Sequence, residues 1–327
     1  MRGRRWIGLW AVLTAVAASA QDVHFSQMDF NPVLLNAAYA GFVDGGGRVG
    51  AACRTQWASV SHPYRTFALT ADALLWRDRY RRNGAGGGVA FVRDKAGTLD
   101  YGTTSAIAMV SYNRALDWNG VHHLALGAEA GFHLRGYDAS RATLFDDAEQ
   151  LLQRELRYVT VGCGLAWSCD PDESWWLRVG VAAHNLNRPL LSLLEGDGAH
   201  LEPRYLMSAR VGYRLGGHWE LSPVALAQIQ HGNSEFCYGA DVRWRPDGDD
   251  GSRRLSLAAG IAVRHGDACL LSVSAEYHAL QVIFCYDANT SALAEASSGY
   301  GAVELGVVYR FVKQRVQRRR ALPCPIM

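Results

Sequence analysis

The stretch that decides the fold is His122–Arg135, HHLALGAEAGFHLR, in which apolar and polar residues alternate along its whole length. One face carries Leu126 and Phe132, and the opposite face carries Glu129 and Arg135. Successive side chains of a β-strand point to opposite sides of the sheet, so the period predicts a strand with one apolar face. A strand in a soluble protein usually has about five or six residues, whereas one that crosses a bilayer needs about 9–11. The length of the alternation therefore predicts a transmembrane strand.

The same pattern recurs along the chain and predicts about fourteen strands in all, an even number of the kind that single-chain barrels of the outer membrane require. They are expected near Arg48–Gln56, Tyr64–Trp76, Gly86–Asp94, Thr103–Asn113, His122–Arg135, Leu156–Trp167, Trp175–Asn185, Arg204–Leu215, Trp219–Gln230, Glu235–Arg245, Arg254–His265, Cys269–His278, Leu280–Asp287 and Tyr300–Val312. A closed sheet leaves no unpaired edge in lipid. The predicted fold is all-β, a single transmembrane antiparallel outer-membrane β-barrel with a short N-terminal segment outside the strands.

The beginning of the chain predicts export. Residues 1–20 combine arginines at positions 2, 4 and 5, the apolar stretch Trp6–Ala17 and the small residues Ala18-Ser19-Ala20, which together resemble a cleaved signal peptide. Cleavage after Ala20 makes Gln21 the first mature residue. No later run of 18 apolar residues follows, so the sequence predicts no transmembrane helix and excludes a helical inner-membrane protein.

The mature chain divides into three predicted parts. Residues 21–47 form an N-terminal plug or docking segment, residues 48–312 the barrel, and residues 313–327 a basic tail. The first part holds Asn31, Asn36 and Gly41, which favour turns and cannot lie unpaired against lipid. We expect it in the lumen or at the periplasmic rim. The tail either contacts a partner or is a solvated run of charge.

Motifs of soluble enzymes and of nucleic-acid-binding proteins are missing from the sequence. It has no Gly-x-Ser-x-Gly elbow, phosphate loop or dinucleotide fingerprint. Six histidines are scattered over predicted strands without a local partner pattern, and the seven cysteines lack metal-ligand spacing. A net charge of +2 does not suit nucleic acid. We therefore expect no catalysis, no cofactor and no metal.

Several motifs resemble, in order, those of the PorP/SprF family of outer-membrane proteins. They are Gln21–Gln27, Asn31–Gly41, Arg54–Trp57, Pro63–Phe67, Asn185–Pro189, Gly299–Leu305 and the terminal Cys324-Pro325. The resemblance implies a component of the type IX secretion and gliding machinery of Bacteroidota, located in the cell outer membrane. Its implied partners are periplasmic ring proteins, peptidoglycan-associated proteins and a cognate large surface adhesin.

The same resemblance marks residues that we expect to dock partners. They are Phe25, Gln27, Asn31, Pro32, Asn36, Gly41, Arg54, Gln56, Trp57, Asn185, Asn187, Pro189, Glu304, Cys324 and Pro325. Two other functions stay open from the residues alone. One is an outer-membrane transport barrel for small apolar ligands, and the other is a barrel enzyme that acts on lipids.

Overall fold

The fold was obtained as a computed structural model, which describes most of the chain. The described residues are 25–27, 31–43, 46–59, 63–79, 82–97, 99–138, 155–171, 174–191, 199–246, 255–291, 294 and 297–311. The signal peptide expected at residues 1–20 and the basic tail expected at residues 313–327 lie outside them. Cys324 and Pro325 are therefore not located by the structure.

The described chain forms one closed antiparallel barrel of fourteen strands. They are β1 Gly47–Gln56, β2 Tyr64–Arg77, β3 Asn83–Ala96, β4 Tyr101–Ala115, β5 His122–Gly136, β6 Glu155–Cys169, β7 Trp175–His184, β8 Arg204–Leu215, β9 Trp219–Gln230, β10 Asn233–Trp244, β11 Leu255–Arg264, β12 Ala268–Tyr277, β13 Leu280–Asn289 and β14 Tyr300–Phe311. Each strand pairs with the next, and β14 closes on β1 from Gly47 opposite Phe311 to Gln56 opposite Ala302. The predicted fold and strand number are confirmed, with strand boundaries within three residues of those expected.

The outer face of the barrel is apolar. Large apolar side chains point away from the lumen at mid-strand, among them Val110 with 60% of its surface exposed and Leu126 with 58%. Tyr205, Trp219 and Tyr309 are exposed nearer the strand ends, as in the aromatic girdles of membrane barrels. On a closed barrel, an apolar band with aromatic residues at its rims indicates a surface that faces a membrane.

The two ends of the barrel differ in their connections. At one end, which we call the termini end, β1 begins and β14 finishes, and most turns are short, such as residues 216–218 and 278–279. The other end, the long-loop end, carries the connections at residues 137–154 and 185–203. In bacterial membrane barrels short turns face the periplasm and long loops face outward.

The described residues at positions 31–43, before β1, lie inside the barrel. They form the short helix α1, Pro32–Leu35, and a 3₁₀ turn, Ala37–Tyr39. Val33, Ala37, Ala38 and Ala40 are each only 1% exposed, because they pack against the inner faces of the strands. No helical stretch within the described ranges is long and apolar enough to cross a bilayer.

Candidate functional site

The inner segment, residues 25–27 and 31–43, runs along the lumen from the long-loop end to the termini end. Ser26 contacts Asp287 and Glu304 near the ends of β13 and β14 that meet the long loops. Further along, Gly46 donates a backbone hydrogen bond to Phe311, the last residue of β14, at the termini end. The segment therefore passes through the barrel before the first strand begins.

Glycines on the inner wall make room for the segment. A side chain at any of them would collide with an atom of residues 36–40, so the wall backbone contacts the segment directly. These glycines, one on each of β3, β5, β6 and β7, are Gly86, Gly127, Gly164 and Gly180. We call them the wall glycines.

Asn36 fixes the middle of the segment to the wall. Its side-chain Nδ2 donates to the backbone oxygens of Leu165, at 3.0 Å, and Val181, at 3.1 Å, and its Oδ1 accepts from the backbone N–H of Ala38 at 2.9 Å. Asn36 is fully buried. A buried carboxamide is stable only when its donors and acceptors are satisfied, and here the wall and the 3₁₀ turn satisfy them.

The Asn31-Pro32 pair begins α1. Thr70 on β2 donates its hydroxyl to Asn31 Oδ1 at 2.6 Å, and Leu34 N–H donates to the Asn31 backbone oxygen at 3.0 Å. Pro32 occupies the first helical position. A backbone N–H at this position has no acceptor within the helix, so proline, which has no N–H, costs nothing here. The pair therefore fixes the start of α1 beside β2.

Gly41 fixes the segment to the strands at the termini end. Its φ of +70° lies in the left-handed region, and an added Cβ would come within 2.6 Å of the Ala73 backbone oxygen. Its N–H donates to Asp72 Oδ2 at 2.9 Å, and Asp72 also pairs with Arg48 at 2.8 Å. Both the conformation and the contact require glycine here.

A buried set of charges holds the other end of the segment. We call it the ionic latch, and it consists of Arg54 on β1, Arg264 on β11, Asp287 on β13, Glu304 on β14 and Ser26. Arg54 lies 2.9 Å from Asp287 and 3.2 Å from Glu304, and Arg264 lies 3.4 Å from Asp287. Charges buried in this way are tolerated when paired and hydrogen-bonded.

The segment supplies the remaining hydrogen bonds of the latch. Ser26 N–H donates to Glu304 Oε2 at 2.9 Å, and Gln27 N–H donates to Glu304 Oε1 at 3.3 Å. The Ser26 hydroxyl donates to Asp287 at 2.6 Å and accepts from Arg264 at 2.9 Å and from Arg54. Four strands and the N-terminal segment therefore share one network.

Two further contacts of the segment lie between these points. Phe25 packs against a cluster of apolar residues from β1, β2, β3, β13 and β14. His184 on β7 contacts Glu129 on β5 at 2.6 Å through Nδ1, and the Leu35 backbone oxygen at 3.2 Å through Nε2. The family motifs do not include Glu129 or His184, and an isolated histidine in a strand gave no sequence signal for this contact.

Gln56 and Trp57 lie apart from the segment, at the long-loop end of β1. Gln56 is the last residue of β1, opposite Tyr64 and Ala302. Trp57 has a φ of +55°, donates its backbone N–H to the Gly301 oxygen at 2.9 Å and contacts the Tyr64 ring edge-on, with ring centroids 5.2 Å apart. These two residues shape the first loop.

The Asn185–Pro189 motif completes the edge of β6. Strand β7 pairs with β6 only as far as Cys163 opposite Ala183. Beyond that point Asn187 Oδ1 accepts from Val161 N–H at 3.1 Å, and its Nδ2 donates to the Val159 oxygen at 2.7 Å. An unpaired backbone group facing lipid costs several kcal/mol, so this side chain takes the place of a neighbouring strand.

Asn185 and Pro189 shape the same loop. Asn185 is buried and has a φ of +58°, a left-handed conformation that asparagine tolerates better than most residues. The Pro189 oxygen accepts from Leu201 N–H at 2.9 Å. The motif therefore turns the chain over the edge of β6, away from the inner segment.

A cavity of about 230 Å³ opens at the termini end, and we call it the termini-end cavity. Residues 38–43 of the segment form one side, and the ends of β2 to β7 form the other. Arg178 lies over the ring of Phe42, at 5.4 Å, and over that of Trp176, at 4.8 Å. Arg77 and Arg82 also line the cavity.

Asp117 lies beside this cavity, in the turn between β4 and β5. The backbone N–H groups of His122, at 2.9 Å, and Val121, at 3.1 Å, donate to its carboxylate. The first of these bonds is the main reason that the pKa of Asp117 is below its usual value. Its charge is therefore committed to the turn.

Across the described ranges, no group of three or more His, Cys, Asp or Glu side chains is placed to hold a metal ion. The six described cysteines are free thiols.

The sequence matches one family of known proteins over most of its length. A family model described as type IX secretion system membrane protein PorP/SprF matches residues 17–309. The chain belongs to the PorP/SprF family. The resemblance inferred from the sequence motifs is thus confirmed, and the family is one of membrane proteins of the type IX secretion system. No curated protein matches the sequence.

Solved structures similar to this PorP/SprF chain are outer-membrane channels. The Ralstonia pickettii toluene transporter TbuX is 8% identical with a TM-score of 0.50, and 86% of this chain covers 92% of it. A TodX deltaS2S3 mutant monoaromatic hydrocarbon channel is 10% identical with a TM-score of 0.50, at 85% and 93% coverage. A Pseudomonas aeruginosa FadL homologue is 11% identical with a TM-score of 0.49, at 84% and 93% coverage. At such low identity the first two show the shared barrel fold alone.

Proposed function

We propose that this PorP/SprF protein is a non-enzymatic outer-membrane component of type IX secretion. It docks periplasmic partners of the machinery and thereby supports export of surface proteins and gliding. The observation that carries the proposal is a lumen filled by a segment that the family motifs mark. Such a barrel is suited to hold partner proteins on a rigid surface, and the end of the inner segment forms part of that surface at the termini end.

The distribution of the motif residues supports a platform. Asn31, Asn36 and Gly41 hold the segment to the wall, and Arg54 and Glu304 hold its beginning through the ionic latch. These residues act on partners indirectly, by fixing the surface that the segment presents. Residues 40–43 reach the termini end, and the end of a bacterial barrel that carries the short turns faces the periplasm.

The partners we infer are periplasmic ring proteins and peptidoglycan-associated proteins, because both would meet the termini end. A cognate large surface adhesin is the inferred cargo. The basic tail, residues 313–327, follows β14 at the same end and adds a second docking element to the proposal.

A deletion of residues 21–41 that keeps the signal peptide tests this function. We expect the shortened barrel to reach the outer membrane, to lose co-purification with ring and peptidoglycan-associated proteins, and to stop exporting surface proteins. A change in electrophoretic mobility on boiling measures the amount of folded barrel and serves as the control. Normal export with the shortened barrel present at the wild-type level would rule the proposal out.

The second candidate is a transport barrel for small apolar ligands, and the shared fold with the channels TbuX and TodX supports it. The polar character of the latch and of the Asn36 contacts weighs against it, because an apolar ligand would have to pass charged and amide groups. Toluene uptake into liposomes that contain the wild-type barrel, above the rate of protein-free liposomes, would favour transport over docking.

A further inference from the structure

The termini-end cavity carries an excess of positive charge. Three arginines, Arg77, Arg82 and Arg178, line it together with one carboxylate, Asp170. Arg77 and Arg178 are both solvent-exposed, and no carboxylate of the described residues lies within ion-pair distance of either. An anion that enters the cavity would therefore meet guanidinium groups that no described acid neutralises.

Two nearby acids of the described residues are committed elsewhere. Asp78 accepts hydrogen bonds from Arg82 N–H, at 2.7 Å, and from Asn83 Nδ2, at 2.9 Å. Asp117 accepts from the two backbone N–H groups of its own turn. Both carboxylates hold turns together, so neither is available to move into the cavity.

Aromatic rings hold one of these cations in place. The Arg178 guanidinium lies over the ring of Phe42, from the inner segment, and over that of Trp176, from β7. Such cation–π contacts do not use the N–H groups of the guanidinium, which can still bind a carboxylate in a bidentate fork. The same rings give the entering group an apolar surface to contact.

The size of the cavity points to part of a larger partner. Its volume of about 230 Å³ is below the range of roughly 300–1,000 Å³ that is common for pockets holding whole drug-sized ligands. It suits one or two side chains that a protein inserts as an anchor. The tail of this chain, which contains Lys313 and Arg315, has the wrong charge to fill it.

We propose that the termini-end cavity binds an acidic peptide segment of a protein partner, with one carboxylate on Arg77, another on Arg178 and an adjacent aromatic side chain against Phe42 and Trp176. The inference rests on the proposed docking function, and it names the chemistry of the partner. Because Phe42 belongs to the inner segment, the site exists only when that segment is seated in the lumen.

The test uses the purified full-length barrel in detergent and a fluorescein-labelled peptide with one phenylalanine between two pairs of glutamates. Anisotropy should show binding that weakens as salt rises, because salt screens charge pairs near the surface. The double variant Arg77→Gln/Arg178→Gln should bind about tenfold or more weakly, the change expected for losing at least one charge-assisted contact. Arg178→Lys, which keeps the charge without the flat fork, should give an intermediate affinity.

The matched control removes the same charge at the long-loop end. The double variant Arg65→Gln/Arg157→Gln changes two exposed arginines there and should bind the peptide as the wild type does. A peptide in which lysines replace the glutamates should not bind.

The inference would be overturned if the two double variants bound the glutamate peptide equally well. It would also be overturned if the affinity of the wild-type barrel for this peptide did not change with salt. The salt titration uses the unmodified protein, so it tests the inference even if a variant fails to fold. Weaker binding by Arg77→Gln/Arg178→Gln alone supports the inference whatever the export assay shows. The two proposals can fail separately. If the deletion of residues 21–41 abolishes export but both double variants bind the peptide equally, the inference is wrong and the docking function is still supported.

Discussion

The contact between β5 and the inner segment gives a sharp prediction for Gly127→Val. An added Cβ at Gly127 would lie 2.6 Å from the Ala38 Cα and closer still to the Ala38 nitrogen. These are backbone atoms, so the clash can be relieved only if the segment moves. We therefore expect the variant barrel to close with the segment displaced from the wall glycines.

The free energy at stake follows from what the segment loses. Three hydrogen bonds of Asn36 contribute about 1.5–4.5 kcal/mol in total, at the usual net value for each bond. Burial of Val33, which is 1% exposed, adds about 1.5–3 kcal/mol. A loss of several kcal/mol would make the released segment the main form.

Limited chymotrypsin digestion of the folded barrel, read by mass spectrometry, measures this release. Wild-type protein should resist cleavage after Leu34, Leu35 and Tyr39, whereas Gly127→Val should be cut there quickly. Ala128→Val is the matched control, because Ala128 follows Gly127 in the strand and faces lipid, so the added methyl groups do not meet the segment. Equal protection of the segment in folded Gly127→Val and wild-type barrels would refute the packing of residues 36–40 against β5.

Three further changes test the lipid-facing surface, the ionic latch and the β6 edge. Ala128→Arg places a charge at mid-strand on the lipid face and should lower the free energy of unfolding in lipid by about 2–4 kcal/mol, with Ala128→Val near neutral. Arg54→Met leaves Asp287 and Glu304 short of a buried partner and should cost about 3–5 kcal/mol in equilibrium unfolding; a loss well below that range would mean that the latch is not formed. Asn187→Ala should cost about 1–3 kcal/mol because Val161 N–H and the Val159 oxygen lose their partner, whereas Asn119→Ala in an exposed turn should change little.

The strands could be predicted from the sequence because the outer face meets lipid. Apolar residues such as Leu126 and Phe132 must then alternate with inward residues over the full width of the bilayer, and this period is visible in the sequence alone. Only the strand ends differed, as at Asn83 and Ala115, where pairing continues beyond the apolar band into the rims.

The position of the inner segment could be predicted only in part. Turn formers such as Asn36 excluded it from lipid, and the lumen was one of the two places that remained. The partners of the segment were not visible, because the contact of Ala38 with Gly127 joins distant residues without any periodic signal. A wall glycine looks in sequence like any other small inward residue.

The ionic latch shows the same limit. Family motifs marked Arg54 and Glu304, whereas Asp287, Arg264 and Ser26 were not among the expected docking residues. Inward charges occur on many strands of a barrel, and the sequence does not tell which of them meet across the lumen. Closure of β14 on β1 brings Arg54 and Glu304 into register as opposite neighbours, and that pairing depends on the whole barrel.

If this PorP/SprF barrel works in protein secretion, the surface proteome of a strain that lacks it should change. We expect proteins of the type IX pathway to disappear from the cell surface and to accumulate in the periplasm, and the full-length chain to restore them. A surface proteome that is unchanged in the deletion strain, under conditions in which the wild type produces the protein, would show that the barrel is not needed for secretion.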